Sequence, residues 1–132
     1  MKEFKKFFNK TEKEFNQMTA KIENVIQSIK NTVSYDYYNN EIETSTLLEN
    51  LDKDMEYFKD YLTSLKILGN MATTQIFLQE GKGLDTVSDV EMYAQMFVLD
   101  MVYKTNAYSD IFNKYEEYAK SVKENATKAG GI

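Results

Sequence analysis

The amino-acid sequence predicts an all-α protein, an elongated antiparallel up-down-up bundle of three long helices. Three observations carry that expectation. The 132 residues contain no proline, so no residue lacks the backbone donor that a continuous helix needs. Apolar side chains recur in alternating steps of three and four over three long stretches, whereas no stretch alternates with the period of two that marks a strand. Strong turn formers gather at two places, residues 34–40 and Gly81-Lys82-Gly83.

The first helix is expected over about residues 2–33. Phe4, Phe8, Phe15, Met18, Ile22, Val25 and Ile29 form a heptad seam in which Thr11 fills the one vacant slot. Phe7 and Ile26 widen the stripe, as in a bundle core rather than a two-stranded coil. The segment SYDYYNN, residues 34–40, is read as the first connection because Asp36, Asn39 and Asn40 favour turns.

The second helix is expected over about 41–80, with Leu48, Leu51, Met55, Phe58, Leu62 and Leu65 as its seam. Gly69-Asn70 interrupts the pattern. It is either a helix end, giving four helices, or a weak point within one long helix. Ser88-Asp-Val-Glu91 has capping-box spacing and opens a third helix over about 88–125. Its seam runs through Val90, Ala94, Phe97, Met101, Tyr108, Ile111, Tyr115, Tyr118 and Val122, with Lys104 as a charged intruder. The last residues, ATKAGGI, are expected to fray. The whole chain is read as one helical-bundle domain, a fair expectation for its length.

Composition narrows the function classes. The chain has no Cys, His, Trp or Arg, and its 16 cationic residues are all lysine. Missing Cys and His remove the commonest nucleophile–base pairs and zinc ligands. Paired carboxylates such as Asp52 and Glu56 sit off the seam, and Gly81-Lys82-Gly83 is too short for a phosphate-cradling loop. The expectation is therefore a non-enzymatic protein without catalytic residues, cofactor or metal. A net charge of −5 with no arginine argues against direct nucleic-acid binding. The start, MKEFKKFFNK, has no apolar run suited to a signal peptide, and the longest apolar run is broken by Asp100, so a cytoplasmic location is expected.

Richness in Lys, Asn, Ile, Tyr and Phe with no Arg or Pro reads as codon bias from an AT-rich genome, such as a low-GC bacterium or its phage. The chain is similar in size and helicity to the small helical proteins exported by the type VII pathway. Their central Trp-x-Gly turn has no counterpart, since tryptophan is absent and Gly69 follows Leu68. Small phage inhibitors and assembly chaperones share its acidic, cysteine-free character.

Partner-binding residues are sought where apolar side chains exceed what one buried face needs. In the third helix Met92, Met96, Leu99 and Tyr103 form a second stripe opposite Ala94, Phe97 and Met101, with Val98 and Val102 on the side between. Either residues 71–80 fold back over it, or it meets a partner. A first helix of about 32 residues would leave Ile76, Phe77, Met92 and Met96 overhanging it as an uncovered tip. Tyr35, Tyr37 and Tyr38 are secondary candidates, as contact residues in a loop.

The Lys/Phe pattern at the start gives a rival reading, a peripheral membrane helix. Set against it, the acids of residues 36–60 are expected to complement these lysines within the fold. The leading expectation is a protein that docks on another protein, most concretely a phage or mobile-element inhibitor occupying a host surface. Its alternative is a self-associating structural or assembly factor, with a homodimer as the simplest form.

Overall fold

The structure, a computed structural model, describes residues 2–39, 44–80 and 89–128, and within them the side chains of 6–33, 46–75 and 94–125. The fold is all-α. Its helices are α1 (Lys2–Asn39), α2 (Thr44–Glu80) and α3 (Asp89–Lys128). At 1.5 Å per residue each is about 55–60 Å long. Ser88 and the Gly81–Gly83 segment lie outside the described residues, as do 129–132 of the tail.

Contacts between side chains fix the directions. Ser28 Oγ of α1 lies 2.8 Å from Asp54 Oδ2 of α2, and Lys21 Nζ sits 5.6 Å from the centre of the Tyr61 ring. Moving back along α1 therefore means moving forward along α2, so the two are antiparallel. Lys123 of α3 pairs with Asp52 at 3.0 Å, and the Phe112 ring meets Phe58 edge-on at 5.3 Å, so α2 and α3 are antiparallel too. Phe8 meets Phe97 while Glu23 meets Tyr108, so α1 and α3 run parallel. This is the up-down-up arrangement.

The middle helix is the structural spine. α2 packs along both neighbours, whereas the backbones of α1 and α3 approach each other far less. Aromatic side chains span that wider gap. Phe97 presents its ring edge-to-face to Phe8 (5.1 Å, 83°) and to Phe15 (5.6 Å, 79°). Such pairs add about 0.5–1.5 kcal/mol beyond the area they bury.

The heptad reading of α1 holds along its described length. Phe8, Phe15, Ile22, Val25, Ile26 and Ile29 are buried. Thr11 is buried with them, and its hydroxyl donates to the Phe7 carbonyl at 2.9 Å, which satisfies a polar group that would otherwise cost stability. In α2 the core is Leu47, Leu48, Leu51, Phe58, Leu62, Leu65 and Ala72, with Met55 half-buried. In α3 it is Ala94, Val98, Met101 and Ala119, beside half-buried Phe97, Tyr108, Ile111, Phe112, Tyr115, Tyr118 and Val122.

Three expectations need correction, and one open alternative is decided. First, residues 34–39 are not a connection but the last turns of α1. Their Ser, Tyr, Asp and Asn cost only tenths of a kcal/mol each in a helix, and none lacks a backbone donor. Second, the alternative of a break at Gly69-Asn70 falls: α2 is continuous, as the reading of three long helices expects, and the described residues hold no fourth helix. One helical glycine costs about 1 kcal/mol relative to alanine, and burial of Leu65 and Ala72 on either side outweighs it. Residues 71–80 thus continue α2 rather than folding back over α3. Third, α1 does not fall short: Phe8, one turn and a half from its start, is level with Phe97 near the start of α3. The three helices differ by at most three residues in length, so no tip overhangs. Fourth, the antiparallel register puts the acids of residues 49–60 beside the second half of α1 and the end of α3, far from the lysines at the start of α1. Lys123, not an N-terminal lysine, meets Asp52.

Candidate functional site

The candidate site is the back of α3. Residues 94, 98 and 101 turn inward, and a helix repeats every 3.6 residues, so positions 96, 99 and 103 must turn outward. They carry Met96, Leu99 and Tyr103, which are 68%, 70% and 74% exposed. Val102, 48% exposed, borders the stripe on the side of α2, where it shares a groove with Gly69 and Thr73. Val98, one turn earlier, is core instead.

The stripe is electrically quiet. Asp100 and Lys104, on its other border, pair with each other at 3.2 Å. A ligand covering the ridge therefore does not strand a lone charge there. Exposed apolar residues are ordinary when scattered, but three large ones in one line on a helix form a patch. Met96 adds a flexible thioether that adapts to different contours.

Of the other candidates, Met92 lies in α3 one turn before Met96, and Ile76 and Phe77 lie in α2. Tyr35, Tyr37 and Tyr38 belong to the last turns of α1 rather than to a loop. The side chains of all six lie outside those described. The stripe brought together by the structure is thus Met96, Leu99 and Tyr103.

Sequence reasoning missed a second apolar feature. A groove runs between α1 and α2, walled by Phe7 and Met18 from α1 and by Ile67, Leu68 and Met71 from α2. Ile67 is 54% exposed and Met71 48% exposed. Their spacing of four residues, one turn apart and off the Leu62–Leu65 seam, was the available signal.

Chemistry of other kinds is sparse. Among the described residues no group of three acidic side chains is placed to hold a metal ion, and every buried side-chain nitrogen or oxygen has a hydrogen-bond partner. The Tyr108 hydroxyl donates to Glu23 Oε1 at 2.7 Å. Burial, then that hydrogen bond, then the carboxylate's charge push its pKa well above the usual tyrosine value; burial alone raises Tyr115. Both phenols stay neutral at physiological pH and serve as packing groups between helices. Among the described residues no helix is long and apolar enough to cross a membrane.

Comparison with protein-family models, curated proteins and solved structures found no match to this chain.

Proposed function

We propose that the chain is a non-enzymatic protein-binding protein that docks through the apolar back of α3. The observation that carries this reading is the line of Met96, Leu99 and Tyr103, each at least two-thirds exposed. Their spacing of i, i+3 and i+7 is that of a helix laying anchors into an apolar groove of its partner. The lack of histidine and cysteine supports a role without catalysis. Such docking would serve either of two purposes: a phage or mobile-element product that inhibits a host protein by occupying its surface, or a self-associating structural or assembly factor.

A photoreactive amino acid placed at Leu99 tests the docking reading in cells that make the protein. A covalent protein adduct at Leu99, and none at Asn113 on the exposed polar side of α3, is expected. Equal or absent crosslinking at the two positions contradicts the reading.

A further inference from the structure

We infer that the partner of the α3 ridge is the α1–α2 groove of a second copy, so that the chain self-associates head to tail. This rests on the docking reading above and names the occupant of the same surface.

The molecule carries both halves of such a contact. The ridge of Met96, Leu99 and Tyr103 is convex and spans eight residues, about 10 Å of helix. The groove walled by Phe7, Met18, Ile67 and Met71 is concave and extends from Ser64 to Gln75 on α2, about 16 Å. The ridge therefore fits within it. Polarity matches as well. Among the described side chains lining the groove only Glu14 is charged, and the rest of the rim is Gln17, Ser64, Asn70, Thr74 and Gln75. The charges bordering the ridge neutralise each other.

Area favours this pairing over ridge against ridge. The ridge with Val102 exposes on the order of 500 Å² of side-chain surface, within the range of functional patches on monomers. Two convex ridges touching along a line bury only part of that, well short of the roughly 1,200 Å² of a stable interface. A shallow groove receives the ridge along its length and adds its own lining, for a total of roughly 1,000 Å² at most, which suits weak, concentration-dependent association.

Position then decides what forms. The ridge lies on the side of α3 turned away from the core. The groove opens on the side of α2 turned away from α3, which meets α2 instead at Gly69 and Thr73. The ring contacts of Phe8 and Phe15 with Phe97 place ridge and groove at the same height along the bundle. Opposed, different surfaces give a heterologous contact that does not close, and copies add side by side into an open row.

Sedimentation velocity from about 10 µM to about 1 mM, the range suited to an interface of this size, tests the inference. The wild type should shift from monomer to a series of multimers. The ridge variant Met96→Lys/Leu99→Lys and the groove variant Ile67→Lys/Met71→Lys should each stay monomeric, because each has lost one half. Their equimolar mixture should form a 1:1 dimer and nothing larger, because one intact ridge meets one intact groove. A groove variant that still self-associates like wild type overturns the inference in favour of ridge–ridge pairing. A wild type that stays monomeric throughout overturns it too, and then a Leu99 crosslink to a different protein leaves the docking reading standing.

Should lysine in the half-buried groove disturb folding, the cysteine-free background offers a milder measurement. Single variants Leu99→Cys and Ile67→Cys, mixed and gently oxidised, should give the mixed disulfide dimer in several-fold excess over either like pair. Statistical pairing overturns the proposal.

Discussion

α1 and α3 run parallel, have nearly equal lengths and flank the same middle helix, yet they treat their apolar side chains differently. In α1 no large apolar side chain among residues 6–33 is exposed. Among residues 94–108 of α3 four are. A helix that only needs to close a bundle requires one apolar stripe. α1 has one, and its opposite face is Lys, Glu, Asn and Gln. The first half of α3 has two, and the second has no element of this chain over it among the described residues. The difference separates residues that hold the fold from residues left on its surface.

The sharpest way to break this comparison is to truncate one residue of each kind. Ile22→Ala in α1 removes a fully buried side chain and should cost about 2–5 kcal/mol. Leu99→Ala in α3 should lie within about 0.5 kcal/mol of wild type. Denaturant midpoints report both. Equal midpoints would abolish the distinction.

The hydrogen bond between Tyr108 and Glu23 ties the two helices together and offers a second test. Tyr108→Phe removes a partly exposed bond to a carboxylate and should cost about 1 kcal/mol at neutral pH. The phenol's pKa is raised by folding, so its contribution is fully present below the unfolded value of 10.0 and is lost as pH rises toward the folded value. Wild type should therefore lose stability above about pH 10, and Tyr108→Phe should lose less over that interval. Parallel pH profiles would show that Tyr108 is not the group concerned; Tyr115, also raised by burial, would remain.

α2 serves as a control, because its one weak point has no role in either face. A Cβ built on Gly69 meets nothing within 4 Å. Gly69→Ala should raise stability by about 0.5–1 kcal/mol through the unfolded chain's lost freedom. A destabilised variant would mean that the glycine answers a constraint in the groove it shares with Val102 and Thr105.

Most of the fold was legible because the seams repeat for many turns. The slot filled by Thr11 could be read from spacing alone, and its burial follows from a hydroxyl that bonds its own helix. What misled was local turn chemistry. Asp36, Asn39 and Gly69 favour helix ends, but a long helix packed on its neighbours overrides single weak residues. The inflated estimate of overhang came from that same error in where α1 ends. The site was half legible. Met96, Leu99 and Tyr103 announced themselves as surplus on one helix, although the overhang invoked to leave Met96 uncovered, with Ile76, Phe77 and Met92, does not exist. The α1–α2 groove was hidden because its walls come from two helices, and no spacing within one helix reveals how two faces meet.

The central claim, that the back of α3 is free surface rather than core, is tested most directly by thermal and denaturant unfolding of Met96→Lys/Leu99→Lys, followed by circular dichroism. A wild-type helical signal and a midpoint within about 1 kcal/mol of wild type are expected, since two surface changes are each worth up to about 0.5 kcal/mol. A lost helical signal, or a cooperative transition several kcal/mol less stable, would place the stripe in the core and contradict the account.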